Sequence, residues 1–99
     1  MSALLIVQAA IAQDGEHRAR YREYQERVRP LIESCGGRLR ASGLGLEVLE
    51  GGHDGRRLLV FEFPSMDALR AFWRSPQYAE IRPLRAGAAH IDAWAVPAQ

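Results

Sequence analysis

The residues that could do chemistry in this 99-residue chain are few, and most are charged or aromatic groups set among apolar neighbours. Glu62 stands inside the run Leu58-Leu59-Val60-Phe61-Glu62-Phe63, alternating onto the face that also holds Leu58 and Val60. A lone carboxylate in such a strand is either paired with an arginine as a structural ion pair, or held in a pocket as a base or ligand anchor with a raised pKa, because an unpaired buried charge is expensive. Glu50 ends the preceding segment beside Gly51 and reads first as a solvated turn residue. His90 and Asp92 alternate onto one face with Trp94, a spacing that suits an imidazole oriented by a carboxylate but also suits a polar pair in an interface.

Arg85 follows a proline-bent helical piece and precedes Ala86-Gly87-Ala88-Ala89, small residues that permit close packing. A guanidinium there could clamp a carboxylate or phosphate, or satisfy Glu62 or Glu50 within the fold. Trp73 and Tyr78 flank Ser75-Pro76 and form one expected aromatic patch; Tyr21 and Tyr24 sit one helical turn apart. Each is a core side chain by default and a cavity wall by alternative, and a buried tyrosine hydroxyl must find a partner. His17 and His53 read as surface residues, and Cys35 as an inert thiol. Three scattered histidines and one cysteine have no zinc or iron spacing, and Gly43-Leu44-Gly45 lacks the helix start of a phosphate loop, so no metal and no cofactor is expected.

The elements that must position these groups follow from periodicity. Residues 3–12 form an expected strand, apolar on both faces, ended by Asp14-Gly15. Asp14 caps a helix running to about Ser34 with Tyr21, Tyr24, Val28, Leu31 and Cys35 on one stripe, a kink expected at Pro30 and a stop at Gly36-Gly37. Residues 38–42 and 46–50 read as a strand pair or one interrupted strand. Arg57–Phe63 is the central strand, Ser65 caps a helix with Met66, Leu69 and Trp73 on its stripe, Ser75-Pro76 starts a short helix bent at Pro83, and Ala89–Val96 is the last strand. The order β-α-β-β-α-β predicts one α+β domain of ferredoxin-like type spanning residues 1–99, its antiparallel sheet carrying helices on one face only. The other face, also apolar, predicts a homodimer through the open sheet side.

Composition excludes several partners. A net charge of +1 with 47% apolar residues gives no field for nucleic acid or membrane. All thirteen basic residues are arginine and spread along the chain, which reads as codon bias. The run Ala3-Leu4-Leu5-Ile6-Val7 is too short for a signal segment, and a single cysteine fits a reducing compartment, so a cytoplasmic location is expected.

The segments Glu47–Gly51, Leu58–Ser65, Ala71–Tyr78 and Ile81–Arg85, with Tyr21-Arg22-Glu23-Tyr24 and Gly36-Gly37-Arg38, together resemble the domain of unknown function 1330 family over nearly the whole chain. One local departure is Arg40-Ala41-Ser42-Gly43, where the family pattern is an Arg-Gly-Gly turn. The resemblance implies a dimeric α/β barrel, the architecture of cofactor-free monooxygenases and muconolactone isomerases. It implies no reaction, and it favours a cleft-lining position for Glu50. Two functions are therefore expected: a small-molecule binder with Arg85 as anion anchor, Trp73, Tyr78 and Tyr21 as walls and Glu62 or Glu50 as polar contacts; or a cofactor-independent isomerase or monooxygenase-like enzyme on a small acidic metabolite, with Glu62 or His90 abstracting a proton.

Overall fold

Asp14, Ser65 and Ser75 divide the chain as a cap reading requires: each side-chain oxygen accepts a backbone N–H three residues on, from His17, Ala68 and Tyr78, at 3.0, 3.0 and 3.1 Å. The computed structural model describes residues 1–43 and 46–99. Its elements are β1 (Ala3–Ile11), α1 (Gly15–Ser34), β2 (Arg38–Ser42), β3 (Arg57–Phe63), α2 (Met66–Trp73), α3 (Pro76–Ile81), a 3-10 turn (Arg82–Arg85) and β4 (Ala89–Pro97). Pro76 takes the first helical position of α3, where its missing N–H is not needed. Pro30 does not break α1: it lies on the exposed side, where water can meet the carbonyl left without a donor.

The sheet order is β2-β3-β1-β4, all neighbours antiparallel. Register pairs Leu5 with Phe61 and Ala95, Val7 with Leu59 and Ala93, and Ala9 with Arg57 and Ile91. These residues face the helices. Ala3, Leu5, Ala9, Leu59, Phe61 and Phe63 are buried there against Val28 and Ile32 of α1, Leu69 and Phe72 of α2 and Tyr78 and Ile81 of α3. Phe63, Phe72 and Tyr78 are the largest fully enclosed side chains, with Phe72 centred 5.6 Å from Phe63 and 4.9 Å from Tyr78. Gly37 seats α1 on this core, since a Cβ on it would stand 2.5 Å from Ile32 Cγ2 and 2.8 Å from Phe63 Cζ. No helix among the described residues is long and apolar enough to cross a membrane.

The intervening residues form the other face. Leu4, Ile6, Leu58 and Val60 are half-buried, while Trp94 and Val96 are 47% and 40% exposed. No helix covers this side, and the molecule is correspondingly flat, 40 × 39 × 16 Å.

One expectation needs correction. Residues 46–50 are not a strand: the segment pairs with neither free edge of the sheet, that of β2 or that of β4, and leaves Leu46, Val48 and Leu49 exposed. The expected stripes face the core, with Val28 and Leu69 buried and Leu31 and Trp73 half-buried against it, and Ile32 of α1 and Phe72 of α2 join them there. Of Gly43-Leu44-Gly45, Leu44 and Gly45 lie outside the described residues.

Candidate functional site

Burial of the α1 stripe against β1 and β3 leaves a cavity between the helices and the sheet. Its walls are Leu5, Val7, Val28, Leu59, Phe61 and Ala93, and the space open to the centre of a water-sized molecule is about 50 Å³. Aromatic side chains from three helices enclose one end. Tyr21 and Tyr24, three residues apart on α1, stack with centroids 5.6 Å apart, and Trp73 of α2 lies 5.1 Å from Tyr78 of α3. The hydroxyls of Tyr24 and Tyr78 share a hydrogen bond of 2.8 Å. Each has one proton, so that bond uses one and leaves the other O–H to donate elsewhere. Burial raises both Tyr21 and Tyr24 above the usual phenol range, and the Tyr78 hydroxyl pushes Tyr24 further up. Both are neutral donors at physiological pH.

Arg29 lines the cavity with its Cζ 5.6 Å from the Phe61 ring centre, and Gln25 lies beside it; two further arginines stand outside the lining, near its tyrosines. Arg57 opens β3 opposite Ala9, which places it on the helix-facing side. Arg85 closes the 3-10 turn with its Cζ 6.0 Å from the Tyr24 ring centre. Arg20 of α1 fixes that turn by donating from Nη2 to the carbonyl of Ala86 at 3.0 Å. The Nε of Arg57 and the Nε of Arg85 are both buried with no hydrogen-bond partner among the described residues. Both guanidinium groups favour the ionised form of Tyr21, against the larger effect of burial. A buried N–H without an acceptor is costly, and a guanidinium has no acceptor of its own. A carboxylate or similar oxyanion would supply an acceptor, with an apolar body lying among Val7, Leu59 and Phe61.

Of the residues expected from sequence, Trp73, Tyr78 and Tyr21 line the cavity, and Arg85 stands against Tyr24 outside that lining. The other three lie elsewhere. Glu62 lies on the opposite face of the sheet, where Arg40 Nε donates to its Oε1 at 2.7 Å. Hydrogen bonds from Ser2 and then Arg40 hold its carboxyl below the usual glutamate value, so the raised pKa envisaged for a buried base gives way to an ion pair with Arg40, not Arg85. His90 is 75% exposed on that same face with Nε2 3.7 Å from Asp92 Oδ2. Asp92 instead accepts from Arg56 Nη1 at 2.5 Å, which leaves His90 poorly oriented. Glu50 is exposed in a bend of the β2–β3 connection, since no strand forms there to carry it toward the cleft. Cys35 is half-buried at the end of α1, its Sγ 4.0 Å from Ser34 Oγ. No three His, Cys, Asp or Glu side chains among the described residues converge as metal ligands.

Sequence reasoning passed over Arg29, which lines the cavity, and Arg57, which stands outside it. Arg56, the twin of Arg57, belongs to the turn, paired with Asp54 and Asp92. The signal for Arg57 was present: Arg57, Leu59, Phe61 and Phe63 alternate onto one face.

A family model described as "Domain of unknown function (DUF1330)" matches residues 2–99. Among curated proteins, no match to the sequence is found. Solved structures resemble the whole chain. A protein of unknown function from Rhodopseudomonas palustris superposes with a TM-score of 0.73 at 21% identity, covering 99% of this chain and 83% of its own. A dimeric ferredoxin-like protein of unknown function from Jannaschia sp. CCS1 gives 0.73 at 13% identity, covering 99% and 100%. SnoaB, a cofactor-independent oxygenase from Streptomyces nogalater, gives 0.67 at 10% identity, covering 99% and 93%. At these identities the likeness establishes the fold, which is ferredoxin-like α+β.

Proposed function

This chain belongs to the domain of unknown function 1330 family, and we propose that it is a one-domain, cytoplasmic, homodimeric small-molecule-binding protein whose helix-side cleft takes a small carboxylate. The observation that carries this reading is the pair of buried, partnerless Nε–H groups of Arg57 and Arg85 beside neutral tyrosine hydroxyls. No carboxylate or imidazole lies among the cavity's lining residues, and an anion bound beside the tyrosines would give Arg57 and Arg85, which stand outside that lining, an acceptor. Trp73 and Tyr78 stand as walls, and Arg82 stacks over Trp73 at 5.4 Å, so that this guanidinium is already engaged. The alternative, a cofactor-independent isomerase or monooxygenase-like enzyme with Glu62 or His90 as base, is less well supported because both stand across the sheet from the cleft.

The homodimer is inferred from the uncovered sheet face. Leu4, Ile6, Leu58, Val60, Trp94 and Val96 form an apolar surface that a second copy would shield, and the Jannaschia neighbour is itself dimeric.

The test is thermal unfolding of the wild type, Arg85→Ala and Arg57→Ala in the presence of small carboxylates. Ligand binding to the folded state raises the melting temperature by mass action. The expected result is stabilisation of the wild type that either substitution removes; equal stabilisation of all three proteins would rule out the arginine clamp.

A further inference from the structure

The segment Leu46-Glu47-Val48-Leu49-Glu50 has the alternation of a strand, yet it pairs with no strand among the described residues. Leu46, Val48 and Leu49 are 40%, 51% and 92% exposed, which leaves three large apolar side chains close together in water. The turn that follows is anchored on the open side of the sheet, where His53 meets Gln8 of β1 and Arg56 pairs with Asp92 of β4. β4 offers what the segment lacks. It is an edge strand of nine residues, and among the described residues no strand takes up the N–H and C=O groups of its outer edge. Beside that edge runs a groove of about 340 Å³, floored by Met66, Leu69 and Trp73 of α2 and by Ala93 and Ala95 of β4. Arg70 and the exposed Arg74, one helical turn apart, form its charged rim. Trp94 lines the groove as well and stands on the open face, so the two surfaces are continuous round the edge.

We propose that residues 46–50 of each copy add as a strand to the free β4 edge of a second copy, so that the two chains exchange arms as well as meeting face to face. The inference rests on the homodimer reading above. Strand addition gives the segment a ladder of main-chain hydrogen bonds and sends its side chains alternately to the two sides. Leu46 and Val48 share one side and fill the apolar floor between α2 and β4; Glu50 shares that side and meets the rim of Arg70 and Arg74. Leu49 points the other way, onto Trp94, so that two exposed apolar groups cover each other. Five extended residues span about 17 Å, well within the length of β4. The free edge of β2 fits the segment less well: a bulge between Leu39 and Ala41 interrupts its register, and Glu33 in the groove beside it would repel Glu50. A two-fold axis makes the exchange reciprocal, which closes the assembly at two copies and shields both β4 edges from further pairing.

The experiment captures the contact as a disulfide between two chains that both carry Cys35→Ser, with light scattering of the wild type in parallel. One chain carries Val48→Cys; the other carries Ala93→Cys or Ala95→Cys on β4, or Ala41→Cys on β2 as the control edge. On mixing and mild oxidation, a covalent pair is expected with a β4 variant, about tenfold or more faster than with Ala41→Cys, because capture requires the two Cβ atoms to meet. Glu50→Arg is expected to weaken the dimer about fivefold, and Arg70→Glu with Arg74→Glu to restore it in the same chain. A wild type of twice the chain mass whose arm is captured at β2, or equally at both edges or at neither, would overturn the exchange and leave the face-to-face dimer standing. Dimerisation indifferent to Glu50→Arg would likewise overturn the proposed fit of the arm. A wild type of single chain mass would remove the dimer, and the exchange with it.

Discussion

The two faces of one sheet meet opposite fates. On the helix side the alternation Ala3, Leu5, Ala9 and Leu59, Phe61, Phe63 is sealed, and the unsatisfied groups are charged donors, Arg57 and Arg85. On the open side the alternation Leu4, Ile6 and Leu58, Val60 is only half covered, while the charges are matched: Glu62 with Arg40, Asp92 and Asp54 with Arg56. His53 closes the polar end of that side, its Nε2 2.9 Å from Gln8 Oε1. The open face therefore lacks apolar cover, and the closed face holds two Nε–H groups without an acceptor. The proposed function assigns each a partner: a second copy for the first, a carboxylate for the second.

Substitutions on the two sides should separate these deficits. The largest effect is expected from Phe63→Ala, which empties a fully enclosed ring position on the helix side; a loss of about 3–5 kcal/mol in denaturant unfolding follows for such a truncation. Val60→Asp, three positions away on the other face, should leave the fold intact and change the assembly instead. Light scattering after size exclusion is expected to give twice the chain mass for the wild type and the chain mass for the variant. A wild type that is monomeric at micromolar concentration would break the contrast between the faces. The smallest effect belongs to Glu62→Gln. Because the folded-state pKa of Glu62 is depressed, the wild type binds fewer protons folded than unfolded near that pKa. Its contribution to stability is present above the ordinary glutamate pKa and disappears as pH falls through the depressed value. The difference in melting temperature between the two proteins is thus expected to be small at neutral pH, as suits a solvent-reached ion pair, and to close in strong acid. A difference that grew on acidification would show Glu62 to be a raised-pKa group after all.

Much of the fold was legible because local signals agreed: Asp14, Ser65 and Ser75 as caps, Pro76 as a first helical residue, and Leu58–Phe63 as a strand. The site was legible in part. Trp73, Tyr78, Tyr21 and Arg85 could be named, yet the face that Glu62 and His90 occupy could not be deduced, since both faces of β1 and β3 are apolar and alternation alone does not say which one the helices take. Residues 46–50 misled for a related reason: Leu46 and Val48 alternate like a strand, but a strand exists only where its backbone pairs with a neighbour, and alternation does not report pairing. Arg57 was hidden by its neighbour Arg56, and its helix-facing side emerges only from the register of β3 against β1.

The central claim is that Arg57 and Arg85 hold hydrogen-bond capacity reserved for an anion, and their Nε–H resonances report on it directly. Arg40 and Arg56 supply internal controls, because their Nε–H groups already donate to Glu62 and Asp54. Titrating 2-oxobutanoate into nitrogen-15-labelled protein is expected to move the Nε–H signals of Arg57 and Arg85 downfield and saturably, leaving those of Arg40 and Arg56 in place. Unmoved signals at Arg57 and Arg85, or one common salt-like drift across all four, would contradict it.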